Sequence, residues 1–425
     1  MGFQHGLSGL RAASTNLDVI GNNVANANVI GFKQSQAQFS DIFANSLGGA
    51  GGNQVGIGTQ VNTIAQSFSQ GNISNSTNPL DMAIVGGGFF RLSDNGAISF
   101  SRNGQFHLDK NGFLVNADNL NVTGYAADKA GKIIASSPTN LQLSTAEMTP
   151  QATTTFTAGV NLDSRTLVPA TLPAFDATNP DTYASSTSGA IFDSLGNSHV
   201  FTLFFQKSAP STWDVYAAVD GAVDTSGVPV GVQLDGGSPL TLTFDSNGVI
   251  TAPTGPVTAS VDLSAVATNL GISDWGATTP LDFDFDITNS TQFGSKFAVN
   301  TLNQDGFTSG RLAGYSVADD GTIQGNYTNG ENRTVGQLVL ASFANPNGLK
   351  PQGNNQWVET AASGLPLVGV PLTGTLGEIQ SAAVEEANVD LTTELVNLIT
   401  AQRVYQANAK TIETQDAVLQ TLVNL

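Results

Sequence analysis

The sequence predicts a mainly β protein with α-helical termini. It combines paired N- and C-terminal helices of coiled-coil type, a discontinuous antiparallel β domain and an inserted β domain. Three observations support this prediction. Apolar residues recur at alternating steps of three and four at both ends of the 425-residue chain. The residues between 28 and 390 alternate apolar runs with Asn-Gly and Asp-Gly turns, as antiparallel strands do. The block 151–305 has a charge composition of its own.

The first helix is predicted to run from Leu7 to about Ala27. Glycines inside it, at positions 9 and 21, each cost about 1 kcal/mol relative to alanine. Since about 20 residues are marginal for an isolated helix, we expect this one to be disordered in the free chain. The apolar seam consists of Phe3, Leu7, Leu10, Leu17 and Val24, with the small Ser14 and Gly21 at the remaining seam positions.

The last helix is predicted to begin near Asn388 or Asp390, because either side chain can cap a helix. No glycine or proline follows Gly377, so the helix can continue to Leu425, over about 36 residues or roughly 54 Å. A wide apolar stripe predicts burial against several neighbours. The stripe consists of Val384, Leu391, Leu395, Leu398, Tyr405, Ala409, Ile412, Leu419 and Val423, flanked by Val396, Ile399, Val404, Val418 and Leu422.

Each terminal helix needs a partner that covers its apolar stripe. The obvious partner is the other terminus, or the termini of neighbouring copies. Residues 1–30 and 380–425 are therefore predicted to form a terminal helical assembly domain, which indicates a subunit of a polymer. The predicted self-assembly residues are Leu7, Leu10, Leu17, Ile20, Val24, Leu391, Leu395, Leu398, Tyr405, Ile412 and Leu419.

The chain between the helices is predicted to hold a linker and two β domains. Residues 31–78 are polar and glycine-rich and form the linker, with a flexible break at 48–52 and a strand-like piece at 60–64. Residues 79–150 and 306–379 form the discontinuous β domain. Hairpin turns are predicted at DNG (94–96), DKNG (109–112), DSLG (193–196), DSNG (245–248) and DDG (319–321).

The block 151–305 is predicted to be an inserted outer β domain. It holds Arg165, Lys207 and Lys296 against fifteen aspartates and no glutamate, a net charge of −12 out of −19 for the chain. Aspartate without glutamate is a turn composition, because glutamate favours helices. Nesting this block within the other β domain brings both chain ends to one end of the molecule, where the helices can pair.

Composition excludes several classes of function. A chain with 15 basic and 34 acidic residues and no basic cluster is not expected to bind nucleic acid. The absence of cysteine excludes disulfides and thiolate chemistry, and it suits export in an unfolded state. We see no apolar run long enough to span a membrane and no secretory signal. The chain is expected to be cytoplasmic, or exported with its N-terminus uncut.

The acidic row Asp282, Asp284 and Asp286 is the one carboxylate cluster in the sequence. Such a row could hold a hard cation with extra oxygen ligands, but period-two alternation also predicts a half-buried strand with a solvated face. The glycines at 86–88 lack the Gly-Lys-Ser/Thr of a phosphate loop. His5, His107 and His199 lack metal-ligand spacing. We predict no catalytic residue, no cofactor and no metal site.

Both ends of the chain carry short runs of residues that match a known protein family. At the N-terminal side the matching runs are LDVIGNNVAN (17–26), GFK (31–33), LDMAI (80–84), GFF (88–90) and SRNG (101–104). At the C-terminal side they are NVDL (388–391), ELV (394–396) and AQRVYQAN (401–408). These runs resemble the bacterial flagellar rod and hook axial protein family. Resemblance to the hook members of that family rests on QGNYTNG (324–330), GQLVLA (336–341) and FANPNGL (343–349). The resemblance covers roughly residues 1–150 and 290–425.

The resemblance implies a structural role in the bacterial flagellum. Hook members form a curved tube that transmits torque from rod to filament as a universal joint. It implies a homopolymer with terminal helices lining the inner tube and β domains stacked outside. The implied partners are the hook cap, the distal rod protein, the hook-filament junction protein and the type III export apparatus. The implied location is extracellular, reached without a cleaved signal peptide and without membrane insertion.

Other functions remain open from the residues alone. The chain could be the distal rod protein or another axial protein. It could be a secreted β-rich binding module, such as an adhesin whose acidic middle block recognises a sugar or a cation. It could be a hydrolase that uses the aspartate row. A binding module would not need paired helices at both ends, and an enzyme should show an acid/base set, so the polymer is the preferred hypothesis.

Overall fold

A computed structural model of the chain describes residues 2–42, 56–128 and 130–423, with side chains up to residue 421. The glycine run predicted as a flexible break and the side chains of Leu422, Val423 and Leu425 lie outside the described residues. The chain forms two compact units. The first combines Met1–Thr145, Gly314–Asn326 and Asn332–Leu425, and the second combines Ala146–Ala313 with Tyr327–Glu331. The insert predicted at 151–305 falls inside the second unit.

The N-terminal part of the first unit begins with a helix and continues in strands. Its elements are α1 (Gly2–Ala25), β1 (Ser35–Ile42), β2 (Gly58–Gln66), β3 (Ile73–Asn75), β4 (Met82–Val85), β5 (Phe89–Asp94), β6 (Ala97–Ser101), β7 (His107–Leu108), β8 (Leu114–Val115), β9 (Asn121–Ala126) and β10 (Thr139–Asn140).

The second unit is built mostly of longer strands. Its elements are β11 (Thr155–Asp163), β12 (Ser185–Phe192), β13 (Ser198–Ala209), β14 (Thr212–Val219), β15 (Val232–Leu234), β16 (Leu240–Phe244), β17 (Ile250–Ala252), β18 (Val257–Val261), α2 (Leu263–Leu270), β19 (Leu281–Asp286), β20 (Thr291–Phe293) and β21 (Ala298–Gln304), with a 3₁₀ turn at Pro180–Thr182.

The chain then returns to the first unit and ends in its longest helix. The elements are β22 (Leu312–Val317), β23 (Thr322–Tyr327), β24 (Asn332–Leu338), β25 (Leu340–Ser342), β26 (Lys350–Gly353), β27 (Gln356–Val358), β28 (Leu367–Gly369), β29 (Glu378–Ser381), β30 (Ala383–Glu385) and α3 (Leu391–Val423), with a 3₁₀ turn at Pro346–Gly348.

The mainly β fold with a helix at each end is confirmed, but the helix bounds differ from the prediction. Helix α1 starts at Gly2 and ends at Ala25 rather than spanning Leu7 to Ala27. The residues 380–390, predicted to belong to the terminal helical domain, form strands and a loop instead. Val384 lies in β30, paired with Ser74 of β3. Residues here alternate between exposed and buried, as in a strand, before a helical period begins at α3.

The residues predicted as a linker, 31–78, contain a hairpin. Strands β1 and β2 pair antiparallel from Ser35↔Gln66 to Ile42↔Gly58. Strand β3 pairs with β30. The polar composition gave no sign of this hairpin, because both of its faces are largely exposed apart from Ala37 and so carry no apolar alternation. Backbone hydrogen bonds rather than apolar burial define such a strand pair.

The core of the first unit lies on a large sheet with the strand order β22-β23-β24-β9-β5-β6-β27-β26. Neighbouring strands from β23 to β26 in this order pair antiparallel. Met82, Ile84, Phe90 and Phe106 are buried there, and the rings of Phe90 and Phe106 meet edge to face at 5.1 Å. This core is the body to which the terminal helices are attached.

Two sheets of the second unit share one core. The first has the order β15-β18-β19-β11-β20, with β21 also paired to β11, and the second has the order β12-β13-β14-β16-β17. Phe156 of β11 meets Phe201 of β13 at 5.2 Å, so the two sheets face each other. Antiparallel pairing was expected throughout, but β11 runs parallel to β19 and β20. A strand reached after so long an excursion can return in either direction, because no tight turn dictates its sense.

The five predicted turns all lie at strand-to-strand connections, as predicted. They join β5 to β6, β7 to β8, β12 to β13, β16 to β17 and β22 to β23. Their aspartates act as local caps. In the second unit, Asp193 Oδ1 accepts hydrogen bonds from the amides of Leu195 and Asn197 at 2.9 and 2.8 Å, and Asp245 does the same within its own turn. This use explains a block rich in aspartate and lacking glutamate, whose longer side chain does not fit the turn.

Candidate assembly surface

A buried ion cluster ties both chain ends to the β body of the first unit. Lys33 follows α1, Arg102 follows β6 and Glu385 ends β30. Lys33 Nζ lies 2.7 Å from Glu385 Oε1, and Arg102 Nη1 lies 3.1 Å from Glu385 Oε2. The side chains of Lys33 and Glu385 are wholly inaccessible to solvent, and that of Arg102 is 4% exposed. We call these three residues the clamp.

The clamp is further satisfied by backbone groups. Lys33 Nζ donates to the carbonyl of Ser69 at 2.7 Å, and the amide of Gly71 donates to Glu385 Oε1 at 2.9 Å. Burial lowers the pKa of both Lys33 and Arg102, and the attraction of Glu385 opposes that effect. A buried cation is tolerated only when it is paired and hydrogen-bonded. The clamp therefore holds its three segments together only as a complete set.

Polar contacts next to the clamp orient the helices. Asn23, near the end of α1, exchanges hydrogen bonds with the backbone of Ser35 in β1, at 2.8 and 2.9 Å. The amide of Gln34 donates to Asn388 Oδ1 at 2.7 Å. Gln34 Nε2 donates to Glu394 Oε1, in the first turn of α3, at 2.5 Å. Gln34, which lies between Lys33 of the clamp and the first residue of β1, is thus hydrogen-bonded to the start of the last helix.

Helix α3 starts where one of the two predicted caps stands. The carboxylate of Asp390 accepts hydrogen bonds from the amides of Thr392 and Thr393 and from the Thr393 hydroxyl. The hydroxyl and amide donors lower the pKa of Asp390 below its usual range, since they favour the ionised form. The prediction of Asp390 as the cap is confirmed, while Asn388 binds the backbone of Ser67 instead.

Helices α1 and α3 meet through small residues. A β-carbon at Gly6 would lie 2.9 Å from Cγ1 of Ile412, and one at Gly9 would lie 2.6 Å from Oδ1 of Asn408. Ala401 of α3 is also buried. The two glycines, which weaken α1 as an isolated helix, thus allow the close approach of its partner. This pairing of the two ends within one chain is one of the two alternatives predicted.

The predicted assembly residues do not all lie at this contact. Ile20 is buried; Leu7, Leu10, Leu17, Val24, Leu398 and Ile412 are partly buried; Leu391, Leu395, Tyr405 and Leu419 are exposed. Instead, the buried positions of α1 include Gly6, Ala13, Ile20 and Asn23, each of which directly precedes a predicted seam position. The stripe of leucines is therefore turned partly away from α3, because the helices touch through their small residues.

A second apolar face on α3, on the side away from α1, is largely uncovered by the described residues of its own unit. Leu395, Val396, Ile399 and Val418 are between 45% and 59% exposed. Four large apolar side chains along one side of a helix at such exposure are unusual for an isolated soluble chain. This face suits contact with another molecule.

The aspartate row forms the predicted alternating strand. In β19, Leu281, Phe283 and Phe285 are buried while Asp282 and Asp284 are exposed. Asp282 Oδ1 accepts a hydrogen bond from the Ser260 hydroxyl at 2.6 Å. Within residues 2–42, 56–128 and 130–423, no group of three or more His, Asp or Glu residues is placed to hold a metal ion.

Sequence reasoning missed the clamp. Lys33 lies in the GFK motif and Arg102 in the SRNG motif. No local pattern pairs either residue with Glu385, which is 352 residues from Lys33. One signal was available: in a chain with only 12% charged residues, a lysine and an arginine within otherwise apolar or small motifs are candidates for buried pairing. In the described part of the chain, no helix combines the length and hydropathy that a membrane span requires.

Four protein families match successive parts of the chain. The family described as flagella basal body rod protein matches residues 3–33, and the flagellar hook protein FlgE/F/G D1 domain matches residues 83–159. The flagellar basal body protein FlaE D2 domain matches residues 161–307. The flagellar basal body rod FlgEFG protein C-terminal family matches residues 380–425. The matches at the two ends include the clamp residues Lys33 and Glu385.

Full-length relatives carry one name. The flagellar hook protein FlgE of Escherichia coli is 41% identical over 430 residues, and that of Salmonella typhimurium is 40% identical over 430 residues; both alignments cover 100% of each chain. The flagellar hook protein FlgE of Borreliella burgdorferi is 31% identical over 452 residues, covering 99% of this chain and 98% of its own. Similarity therefore extends through the middle block as well as the ends.

Proposed function

This chain belongs to the family of flagellar hook proteins, and we propose that it builds the hook by self-assembly through its two terminal helices. As a member of this family it is a component of the bacterial flagellum. The observation that supports helix-driven assembly is the uncovered apolar face of α3. Since α1 already packs against α3 on another side, this face is left for a neighbouring copy.

The clamp is proposed to make the helices part of a continuous load path. A joint that transmits torque must pass force from its helices to its β body. In the first unit, Glu385 lies in the segment before α3, and its carboxylate pairs with Lys33 in the segment after α1. The same carboxylate pairs with Arg102, which follows β6 of the large sheet. We propose that force on either helix reaches the large sheet through this ion cluster rather than through a flexible linker.

We further propose that the partners are those of a hook subunit. These are other copies of the chain in a curved helical tube, the hook cap, the distal rod protein and the hook-filament junction protein. The chain would leave the cell through the type III export apparatus with its N-terminus uncut and function extracellularly. It would not act as an enzyme. We assign no catalytic residue, cofactor or metal.

Electron microscopy of the purified chain tests the proposal. After salting out, the chain should form tubes of uniform diameter. A variant lacking residues 391–425 should remain monomeric under the same conditions, while its β signal in circular dichroism persists. Absence of tubes from the full chain at any salt concentration would contradict self-assembly, and tubes from the truncated chain would contradict the role of the helices.

A further inference from the structure

A cavity of about 910 Å³ opens between α1, the β1–β2 hairpin and α3 within the first unit. This volume is far larger than the roughly 30 Å³ that one water occupies in the liquid, so several side chains can enter it. Residues along its walls are small where the helices approach, namely Gly9, Ala12, Ala13 and Ala401. The cavity is thus a groove with room for protruding side chains.

One wall of the groove carries an incompletely satisfied carboxylate. Glu394 is only 3% exposed. Its Oε1 accepts the hydrogen bond from Gln34, but its Oε2 is buried and has no hydrogen-bond partner among the described residues. His5 Nε2, also on the groove wall, is in the same condition. A buried carboxylate oxygen without a donor is costly, so the groove suits a cationic donor.

A matching cation lies on the opposite side of the same helix. Arg403 is exposed and forms no ion pair within the part of the chain that the structure describes. It shares a face with Val396 and Ile399, at spacings of seven and four residues, and both of these are about half exposed. This group of two apolar side chains and one guanidinium can fit in the volume of the groove, and its positive charge complements the buried carboxylate of Glu394.

The two sides cannot meet within one chain. Nine residues separate Glu394 from Arg403, which at 100° and 1.5 Å per residue places them on opposite sides of α3 and about 13.5 Å apart along its axis. A groove on one side and its complement on the other make a heterologous contact, in which each copy receives one neighbour and enters another. Such contacts produce rings or open helical assemblies rather than closed dimers.

We propose that the groove receives α3 of a second copy, with Arg403 of that copy donating to Glu394 Oε2 while Val396 and Ile399 enter beside it. The proposal rests on the proposed function and specifies one contact of the assembly. Arg11 is the other exposed arginine of the terminal helices. It is not flanked by large exposed apolar residues at helical spacing, so Arg403 is the better fit.

A double-mutant cycle on assembly tests the contact. The critical concentration for tube formation is measured by sedimentation for the full chain and for Glu394→Gln, Arg403→Gln and the double variant. If assembly buries a hydrogen bond between these charged groups, the critical concentration of each single variant should rise roughly tenfold or more. Because both changes remove the same interaction, the critical concentration of the double variant should rise no further than that of the more affected single variant. Lys410→Gln is the matched control, since Lys410 lies on the same face but is paired with Glu413 of its own chain at 2.7 Å.

The outcomes separate this contact from self-assembly itself. Unchanged critical concentrations, or effects that multiply in the double variant, would overturn the Arg403–Glu394 contact while leaving self-assembly intact. Coupling of Glu394→Gln to Arg11→Gln instead would overturn the choice of Arg403. Failure of the unaltered chain to form tubes would remove the contact together with the proposed function.

A second measurement applies if Glu394→Gln lowers the thermal stability of the free chain. The chain has no cysteine, so cysteines placed at Asn397, on the groove wall, and at Ile399 can be oxidised without background. The two positions point to nearly opposite sides of one helix and cannot bridge within a chain. Oxidised tubes should give a ladder of covalent oligomers under non-reducing conditions, and each single cysteine should not. Tubes without a ladder would overturn the proposal.

Discussion

Replacing Glu385 by glutamine should destabilise the first unit more than any other single charge removal in it. The carboxylate accepts from Lys33 at 2.7 Å, from Arg102 at 3.1 Å and from the amide of Gly71 at 2.9 Å. Glutamine keeps the size of the side chain but removes the one negative charge between two buried cations. Its amide group would also direct a donor toward one of them.

The expected loss is about 3–5 kcal/mol, the range for breaking a buried pair by removing one partner. With an unfolding slope of about 2 kcal/mol per molar urea, the midpoint of the first unit should fall by roughly 1.5–2.5 M. That loss is a large part of the roughly 5–15 kcal/mol that stabilises a typical folded protein. The variant should therefore unfold under mild denaturant.

Tryptophan fluorescence can report on this unit alone. Trp357 is buried in the first unit, where its Nε1 donates to Gln66 Oε1 at 2.7 Å. The other two tryptophans, Trp213 and Trp275, lie in the second unit. In a Trp213→Phe/Trp275→Phe background, urea titration of Trp357 fluorescence follows the unit that contains the clamp.

Two further variants control the interpretation. Glu386→Gln changes the neighbouring, partly exposed glutamate and should alter stability by no more than about 0.5 kcal/mol. Lys33→Met combined with Glu385→Gln should lose less than the sum of the two single changes, because the buried charge left unpaired is then partly removed. If Glu385→Gln shifts the midpoint no more than Glu386→Gln does, the clamp does not stabilise this unit and the reasoning is refuted.

Four other predictions follow from the same structure. Leu17→Asp or Leu398→Asp should block tube formation while leaving the β signal in circular dichroism intact. An unpaired carboxylate buried at a helix contact costs several kcal/mol in every subunit, and normal tubes by electron microscopy would contradict this. Limited proteolysis of the free chain should trim α1 and α3 and leave about residues 31–388, since the clamp retains the segments on both flanks; a fragment of that size by mass spectrometry supports this, and a chain protected at both ends contradicts it. Deleting residues 151–305 and rejoining 150 to 306 should preserve tubes, because the retained flanking residues Met148 and Gly310 already exchange backbone hydrogen bonds at 2.8 and 3.2 Å. The curvature or stiffness of the tubes should change, since we expect the polar insert to make outer contacts that can slide; complete loss of assembly would show that the insert carries the primary contacts. The folded pKa of Asp390 lies below its unfolded value, so the stabilisation of α3 by this cap is complete above about pH 3.9 and is lost as the pH falls through the lower folded pKa. Carbon-13 titration should show this, and Thr393→Val should raise the pKa of Asp390 toward its unfolded value.

Local patterns in the sequence were sufficient for the elements whose causes are local. Four of the five predicted turns contain Asn-Gly or Asp-Gly, which supply the positive φ that a hairpin needs, and Asn95 and Gly96 adopt φ values of +47° and +101° in the first of them. The alternation of β19 and the cap at Asp390 were predicted for similar reasons. Each depends on residues within a few positions of one another.

The direction in which each helix faces could not be predicted in the same way. A helical wheel ranks positions by apolarity, so it selected the leucine stripe of α1 as the contact with its partner. In the folded chain the closest approach uses Gly6 and Gly9 instead, because small side chains allow Asn408 and Ile412 to come within contact distance. Close packing depends on the shapes of two surfaces far apart in sequence, and apolar periodicity carries no record of the partner's shape.

By itself the sequence determined the class of the protein, the positions of its turns and the presence of a helix at each end. These follow from steric preferences and apolar periods that a short stretch of chain carries on its own. Only the tertiary structure decided that Lys33, Arg102 and Glu385 form one buried cluster, that 31–78 contains a hairpin, and that Glu394 is buried beside Gln34 while Arg403 is exposed. Pairing of distant charges depends on which surfaces exclude water together, and that is a property of the whole fold.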